Sequence, residues 1–348
     1  MIIEKLIASG YLAPAKNPPA NPTEWRRLRD CRGLTIPLIA EDYRALTAAM
    51  WNAAYVRWLP EYRNVMMVAD PKRVGEILPM FAEDERYLGG GLGIGFKEVE
   101  KLGLAQWLRL DPLAEKMGSV NLVVKTTEGL VGSNTDAQGF LRSLDEKLQE
   151  RKISLAGKRI LILGAGGTAN GIAYLLAERP IAELVVLNRT VARAENLVER
   201  INTERARRIA VAGGEEEIPR RALEANIIIN ASTKGADGEF AGYSALSSTA
   251  DLGENLRASE AILGDIVAKR PPIVLVLSDI NLTKRGTTPF LEQARQVGFP
   301  EPQLLDGRPM VIHQGYEAFW LVHGEELERL GITKDDVARV FRQAAEAV

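Results

Sequence analysis

The stretch ILILGAGGTANGIAYLLAERPIAELVVLNRTVAR, residues 160 to 193, predicts more of the fold than any other part of the chain. It begins with an apolar run, Ile160 to Leu163, that is typical of a strand buried in a parallel sheet. The run breaks at the glycine-rich segment 164–169, and a helical pattern begins near Asn170. A second apolar run, Leu184 to Leu187, follows. Strand, glycine turn, helix and strand in this order predict a unit that binds a nucleotide.

The glycines of this turn have a physical reason to be there. They let the backbone turn tightly and come close to a pyrophosphate, while the start of the helix offers free N–H groups and the positive end of its dipole. A glycine triplet also closes ordinary strand-to-helix turns, so the prediction depends on the strands and the helix around it. The cofactor-binding residues predicted in the turn are Gly164, Gly166, Gly167, Thr168 and Ala169.

The residues after the second strand indicate which nucleotide binds. Folds specific for NAD usually carry an acidic residue at this place, which binds the ribose 2′-hydroxyl. This chain instead has polar and basic residues, namely Asn188, Arg189, Thr190 and Arg193. Arginine suits a 2′-phosphate, so NADP is the predicted cofactor. The alternative is that both arginines are ordinary solvated charges at the start of a helix.

The composition is close to that of an average globular protein. Of 348 residues, 26 % are charged and 46 % are hydrophobic, and the net charge is −2, which disfavours disorder and nucleic-acid binding. No apolar run approaches 18 residues and no signal-peptide core is evident, so we expect a cytoplasmic protein that does not span a membrane. A single cysteine, Cys31, and two histidines, His313 and His323, predict neither a disulfide nor a metal site.

The length predicts two domains, because single cores rarely grow beyond roughly 250 to 300 residues. The proline-rich start, residues 1–33, is interpreted as a mobile lead-in outside the core. Residues 34–144 mix helix and strand patterns and predict an α/β substrate domain. Residues 145–308 predict a Rossmann-type doubly wound parallel sheet that binds NADP, with a long insertion at 237–271. Two helices within 309–348 are expected to return to the first domain.

Individual elements follow from apolar periodicity. In the first domain, the predicted helices are 42–56, 71–81 and 111–117, and the predicted strands are 64–68 and 121–124. In the second domain, the further predicted strands are 225–231 and 273–278, with a helix near 255–268 between them.

Six motifs occur in a fixed order along the chain. Two are GAGGTA at 164–169 and NRTVAR at 188–193, which lie in the nucleotide unit already described. The others are Phe96-Lys97-Glu98, Ser119-Val120-Asn121 with Gly132-Ser133-Asn134-Thr135-Asp136, Asn230-Ala231-Ser232-Thr233, and Asp306-Gly307 with His313-Gln314-Gly315. In this order they resemble the P-x-K-E, (A)VN, G-x-N-T-D, N-A-T-S and D-G-x-x-M-L-x-x-Q-G motifs of the shikimate dehydrogenase family and its quinate dehydrogenase relatives.

The resemblance implies a two-domain NADP-dependent oxidoreductase, often a homodimer, with a small-molecule substrate bound between an α/β domain and the NADP domain. It implies hydride transfer between nicotinamide and a cyclic hydroxy acid, as in the shikimate pathway of aromatic amino acid biosynthesis. The residues that it assigns are Lys97 and Asp136 as the acid/base pair, Thr47, Asn121 and Gln314 as substrate-binding residues, and Ala231 and Ser232 as further cofactor-binding residues.

Each residue of the substrate site also has a plain structural interpretation. Lys97 could be a solvated surface lysine, and Asp136 could only cap the helix that follows it. Asn121 could be a turn residue at the start of a strand, and Gln314 an exposed glutamine on a helix. The motif order favours the functional interpretation of all four.

The chain departs from the family where shikimate itself would bind. The S-x-S-P motif corresponds to a stretch beginning at Ala45, in which only Thr47 keeps a hydroxyl. The N-V-T-x-P-x-K turn has Gly91 and Gly93 at its asparagine and threonine, and Leu282 replaces a tyrosine. Each lost polar partner is worth about 1 to 3 kcal/mol, so we expect shikimate to bind weakly and the pocket to suit a larger or less polar ligand.

Two other functions are compatible with the pattern. One is a catalytically silent regulatory protein that binds a nucleotide or a metabolite on the same fold. Retention of both Lys97 and Asp136 argues against it. The other is a reductase of an amine or a pterin, against which the N-T-D and Q-G motifs count.

Overall fold

The computed structural model describes residues 2–15, 31–41, 46–93, 95–269 and 273–347. The chain forms two compact units, Met1–Gly139 with Val311–Val348 and Phe140–Met310. The domain boundaries predicted from the sequence lie after residues 144 and 308. Each unit combines helices with a sheet, so the predicted α/β class is confirmed.

The first unit is built on two sheets. Its strands are β1 (Leu12–Pro14), β2 (Gly33–Thr35), β3 (Leu38–Ile39), β4 (Tyr62–Asn64), β5 (Met67–Ala69), β6 (Tyr87–Gly91), β7 (Arg109–Leu110), β8 (Leu122–Thr126) and β9 (Gly129–Ser133). The larger sheet has the order β4-β2-β6-β8-β9-β7, and β8 runs antiparallel to both neighbours. The smaller sheet has the order β1-β5-β3.

Helices cover both faces of the larger sheet. They are α1 (Ile2–Ala8), α2 (Leu46–Trp58), α3 (Val74–Glu83), α4 (Val99–Leu102), α5 (Pro112–Met117), the start of α6 (Asp136–Glu150), most of α12 (Gly307–Arg329) and α13 (Lys334–Glu346). Successive residues of β8 point to opposite faces, as the pleat requires. Leu122 packs with the core of α2, α12 and α13, whereas Val123 packs with the core that includes α1 and α3.

The chain start is not a lead-in, and that prediction is wrong for residues 2–15. Ile3 and Leu6 of α1 lie on one helical face and are 1 % and 0 % exposed, and Leu12 of β1 is 3 % exposed. Burial of these apolar side chains holds the segment in the first core. The prediction is also wrong for residues 31–33, because Cys31 is buried in the same core and Gly33 begins β2. Residues 16–30 of the predicted lead-in and the first residues of the predicted helix 42–56 lie outside the described residues.

The predicted strand 64–68 is two strands in two sheets. Tyr62–Asn64 pairs with β2 of the larger sheet, and Met67–Ala69 pairs with both neighbours of the smaller sheet. An unbroken apolar run cannot reveal this switch, because the pattern carries no information about which strand is the partner.

A buried polar network joins α12 to the rest of the first unit. The Tyr55 hydroxyl lies 2.8 Å from His323 Nε2 and 3.1 Å from the Thr35 hydroxyl. Burial lowers the pKa of His323 to about 3, so the imidazole stays neutral at physiological pH. The network holds in place the helix that also carries Gln314.

The second unit is a parallel sheet with the order β12-β11-β10-β13-β14-β15. Its strands are β10 (Arg159–Leu163), β11 (Glu183–Leu187), β12 (Ala210–Gly213), β13 (Ile227–Asn230), β14 (Val276–Asp279) and β15 (Leu304–Leu305). Numbered within the unit, this is the order 3-2-1-4-5-6 of a doubly wound dinucleotide-binding fold. The predicted Rossmann-type sheet is therefore confirmed.

The remaining helices of the second unit are α7 (Gly167–Ala177), α8 (Val191–Arg205), α9 (Ile218–Ala222), α10 (Leu252–Ala268) and α11 (Pro289–Gln296). The segment 237–271 is not simply an insertion, since α10 is the crossover between β13 and β14. Ile262, Leu263 and Ile266 of α10 share a core with Leu277 of β14. A right-handed crossover between parallel strands requires such a helix.

Within the described ranges, no helix has the length and apolar character needed to cross a membrane. The same ranges contain no group of three or more His, Cys, Asp or Glu side chains placed to hold a metal ion.

Two adjacent glycines of β6 give a test of the first unit. A Cβ on Gly90 would lie 2.2 Å from the Ile36 carbonyl oxygen, whereas a Cβ on Gly91 meets nothing closer than the Asn121 carbonyl oxygen at 3.7 Å. We expect Gly90→Ala to destabilise the protein by about 1 to 3 kcal/mol or more, because a backbone atom cannot easily move away. The matched Gly91→Ala should change stability by less than about 1 kcal/mol. Urea unfolding measures both, and equal losses would refute the packing argument.

Candidate functional site

Four chain segments of the first unit bring a polar cluster together. Lys97 follows the turn after β6, Asn121 comes directly before β8, Asp136 begins α6, and Gln314 lies in the second turn of α12. Two backbone hydrogen bonds join the first three segments, from Val120 N to Lys97 O at 2.9 Å and from Asn121 N to Ser133 O at 3.0 Å. Residues distant in sequence are therefore held side by side by main-chain pairing.

Lys97 and Asp136 form an ion pair, with 2.8 Å between Nζ and Oδ2. The lysine side chain is 30 % exposed and the aspartate side chain is 3 % exposed. Lys97 is therefore not a freely solvated surface lysine. A buried carboxylate requires such partners, because burial of an unpaired charge is costly.

Asn121 donates a hydrogen bond to the second oxygen of the same carboxylate. Its Nδ2 lies 2.8 Å from Asp136 Oδ1, 2.8 Å from Gln314 Oε1 and 3.1 Å from Thr135 Oγ1. An amide nitrogen has two hydrogens, so these three acceptors compete for them. A substrate oxygen could accept a hydrogen bond from Asn121 Nδ2 only by replacing one of these acceptors.

The sequence prediction missed the roles of Asn134 and Thr135. Asn134 Oδ1 accepts the backbone N–H of Asp136 at 2.9 Å, so Asn134 supplies the side-chain bond at this helix start. The carboxylate of Asp136 is thereby free to face Lys97, and the interpretation of Asp136 as only a helix cap does not fit. Thr135 Oγ1 donates to the Gln314 carbonyl oxygen at 3.1 Å. Both residues lie inside the G-x-N-T-D motif, and this motif is the sequence feature that could have indicated their roles.

Gln314 is half-buried and bonded to Asn121, so it is not an exposed helical glutamine. Thr47 lies in the first turn of α2 and is half-buried, with no hydrogen bond to the cluster among the described residues. Ala45 lies outside the described residues. A Cβ on Gly91 would lie in ordinary van der Waals contact with the Asn121 carbonyl oxygen, at 3.7 Å.

In the second unit, the predicted cofactor residues lie at the carboxyl edge of the sheet. Gly164 follows β10 with φ +116°, and a Cβ there would lie 2.6 Å from the Ala231 carbonyl oxygen. Only glycine fits this position. Ala231 N in turn donates to Leu163 O at 2.8 Å, so the turn after β10 and the loop after β13 lie against each other. This is the point where the strand order reverses and where nucleotides bind in such sheets.

The start of α7 fits a phosphate. Gly166 precedes the helix without a side-chain cap, and nothing lies within 4 Å of a Cβ built on it. The N–H groups of Gly167, Thr168 and Ala169 lie in the first turn, where the helix itself provides no acceptor, so they suit a phosphate. Asn188 Oδ1 accepts the Ala165 N–H at 3.1 Å and so holds the turn against the end of β11.

Arg189, Thr190 and Arg193 follow β11 and are all exposed. Thr190 is the residue before α8 and makes no capping bond with its side chain. The guanidinium carbon of Arg189 lies 5.7 Å from the centroid of the Phe240 ring. Phe240 was not predicted as a site residue.

Ser232 is held by a buried network that the sequence did not reveal. Its N–H and its hydroxyl donate to Asn230 Oδ1 at 3.0 and 2.7 Å. Asn230 Nδ2 donates to Asp279 Oδ2 at 2.9 Å, and Asn281 N donates to Asp279 Oδ1 at 3.0 Å. Burial raises the pKa of Asp279 from 3.8 to about 6. The loop that carries Ala231 and Ser232 thus depends on one buried carboxyl group.

A doubly wound sheet with an open phosphate turn, in a chain that also holds a lysine–carboxylate pair, is typical of dinucleotide-dependent dehydrogenases. Comparison with known proteins narrows this class. The family model of Shikimate / quinate 5-dehydrogenase matches residues 146–236.

Two relatives and one solved structure illustrate the similarity. The NADP(+)-dependent shikimate dehydrogenase of Lysinibacillus sphaericus is 37 % identical over 216 residues, which is 61 % of this chain and 66 % of the relative. That of Methanopyrus kandleri is 31 % identical over 285 residues, 81 % of this chain and 87 % of the relative. The crystal structure of shikimate 5-dehydrogenase from Listeria monocytogenes with shikimate and NAD has a TM-score of 0.66 at 25 % identity, covering 88 % and 96 % of the two chains.

The chain belongs to the shikimate/quinate dehydrogenase family, and the predicted resemblance is confirmed. The names of these relatives agree with the predictions of a dehydrogenase and of NADP as its cofactor.

The buried carboxyl group of Asp279 predicts a pH dependence. Its folded pKa, about 6, lies above the unfolded value of 3.8, so the folded state binds more protons between these values. The stability gained by protonating Asp279 in the folded state is complete below pH 3.8 and is lost as pH rises through 6. Lowering pH from 7 to 5 should therefore raise the contribution of Asp279 to the free energy of unfolding by roughly 1 kcal/mol.

Denaturant titration of the wild type and Asp279→Asn at both pH values measures this contribution. The difference in unfolding free energy between wild type and variant should shift in favour of the wild type at pH 5. A difference that does not change with pH would contradict the assignment.

Proposed function

We propose that this chain is an NADP-dependent oxidoreductase that transfers a hydride between the nicotinamide and the carbonyl or hydroxyl of a cyclic hydroxy acid. The observation that carries the proposal is the Lys97–Asp136 pair at 2.8 Å, with Asn121 on the other carboxylate oxygen. The names of the family relatives, NADP(+)-dependent shikimate dehydrogenases, support this reaction class. Bound NADPH would supply the hydride.

Lys97 is the proton donor in this proposal. One of its three N–H groups bonds to Asp136, which leaves two for a substrate oxygen on the exposed side of the ammonium. The ammonium donates a proton as the carbonyl oxygen gains charge, and the neutral amine accepts the hydroxyl proton in the reverse direction. Asp136 orients the ammonium and stabilises its charge.

Gln314 and Asn121 would hold the substrate hydroxyls. Gln314 Oε1 accepts from Asn121, so its Nε2 donors remain for a ligand. Thr135 holds the same helix turn through the Gln314 carbonyl. Thr47 remains a proposed contact that rests on the motif alone.

The nucleotide would bind in the second unit. The uncapped start of α7 fits the pyrophosphate, Arg189 and Arg193 suit the 2′-phosphate, and the loop with Ala231 and Ser232 completes the site. The open space at Gly166 supports this fit, because a side chain there would fill it.

The substrate itself is expected to differ from shikimate. Gly91 and Gly93 offer no side-chain donor, and Leu282 is exposed and apolar. We propose a cyclic acid with a bulkier or less polar substituent near Gly91. Reduction of 3-dehydroshikimate to shikimate serves as the reference reaction in a screen. We also propose the homodimer implied by the family, which light scattering of the purified protein tests.

Replacement of Lys97 tests the acid/base role. Lys97→Met should lower kcat by about 10²-fold or more, the loss typical of one proton-transfer group, with NADPH affinity unchanged. Lys101→Met is the matched control, since Lys101 lies four residues further along the chain, in α4, and pairs with Glu98 at 3.3 Å on the surface. Steady-state oxidation of NADPH measures both variants.

Equal kinetics of Lys97→Met and the wild type would rule out the acid/base role. A wild type that binds NADPH yet turns over no cyclic acid would favour the catalytically silent regulatory protein instead.

Charge reversal at Arg189 tests the choice of cofactor. Arg189→Asp should shift preference from NADP towards NAD, because a carboxylate repels the 2′-phosphate and accepts the ribose 2′-hydroxyl. The ratio of kcat/KM for the two cofactors measures the shift. A ratio that stays at its wild-type value would count against the 2′-phosphate role.

A further inference from the structure

An aromatic ring packs against the arginine expected to bind the 2′-phosphate. The guanidinium carbon of Arg189 lies 5.7 Å from the Phe240 ring centroid, within the range of a cation–π contact. Arg189 is exposed and Phe240 is half-buried. Phe240 belongs to the irregular segment 234–251 before α10, to which the family motifs assign no role.

The ring is held in place by the segment around it. Gly235 N donates to the Phe240 carbonyl oxygen at 2.9 Å, and Tyr243 packs edge-on against the ring with 5.8 Å between centroids. The base of the segment is anchored by Lys234, whose Nζ lies 2.9 Å from Glu215 Oε2 and 2.6 Å from the Ser247 carbonyl oxygen. Phe240 therefore offers a fixed surface to the guanidinium.

Among the described residues, Arg189 has no competing partner. It forms no ion pair and no side-chain hydrogen bond with any other residue in the ranges that the structure describes. Its five N–H donors therefore remain for a ligand. A guanidinium that is restrained on one face but keeps its donors suits a planar, bidentate contact with a phosphate.

We propose that Phe240 is a positioning residue that holds Arg189 for the 2′-phosphate and so contributes to selectivity for NADP over NAD. The inference rests on the proposed function, because it requires the NADP site. Without the ring, Arg189 would lose more side-chain freedom when the nucleotide binds. NAD has no 2′-phosphate, so its affinity should not depend on Phe240.

The test is a binding titration of the full-length protein with NADP⁺ and with NAD⁺, by calorimetry and without substrate. Phe240→Leu keeps an apolar side chain but removes the π face. We expect it to raise the Kd of NADP⁺ by about 2- to 5-fold, the size of an exposed cation–π contact, and to leave the Kd of NAD⁺ unchanged. Phe240→Trp should keep the wild-type selectivity. The melting temperatures show whether each variant is folded.

A double-mutant cycle separates positioning from packing. In the Arg189→Ala background, Phe240→Leu should have no further effect on NADP⁺, because the residue on which it acts is gone. Arg200→Ala is the matched control for the loss of one positive charge. Arg200 lies over the Tyr174 ring at the same 5.7 Å in the same unit but has no assigned role at the nucleotide site. It should leave both affinities unchanged.

Three results would overturn the inference. They are an unchanged Kd of NADP⁺ in Phe240→Leu, an equal loss for both nucleotides, and a full effect of Phe240→Leu in the Arg189→Ala background. An equal loss would assign Phe240 to a part that both nucleotides share, such as the adenine. A wild type without preference for NADP⁺ would refute the proposed cofactor choice as well, whereas a selective wild type unaffected by Phe240→Leu would refute only the inference.

Discussion

The first unit depends on the burial of one carboxylate, that of Asp136. With only 3 % of its side chain exposed, it cannot rely on water for solvation, and an unpaired charge would strongly oppose folding. Lys97 and Asn121 each donate a hydrogen bond to one of its oxygens, and Asn134 Oδ1 accepts the backbone N–H of Asp136. The requirement to satisfy this group explains why residues from separate strands and helices converge here.

The hydrogen bonds around Asp136 also restrain the residues that are proposed to act on the substrate. Asn121 also reaches Gln314, and Thr135 bonds to the Gln314 carbonyl, so the polar cluster extends onto α12. The network of Tyr55, His323 and Thr35 holds the same helix further along. A proton donor is useful only when its position is restrained, and here the restraint comes from the same bonds that solvate the carboxylate.

The second unit depends on close backbone approach rather than on charge. Gly164 has a positive φ and no room for a side chain against Ala231, and Gly166 leaves the start of α7 open. Both features create a place where a phosphate can meet backbone N–H groups. Hydrogen bonds hold the loop after β13 at the same edge, because the Ser232 hydroxyl donates to Asn230 Oδ1 and Asn230 Nδ2 donates to the buried carboxyl group of Asp279.

The sequence alone determined the doubly wound class of the second sheet and four of its strands, because strand, glycine turn, helix and strand form a local pattern with a physical meaning. It did not predict β12 and β15. It also named Lys97, Asp136, Asn121 and Gln314, although only through their motifs. Tertiary structure decided what local patterns cannot contain. It placed α1 in a core, divided the run 64–68 between two sheets, made α10 a crossover and set Phe240 beside Arg189. Each of these depends on which surfaces meet across long stretches of chain, and periodicity along the sequence carries no record of the partner.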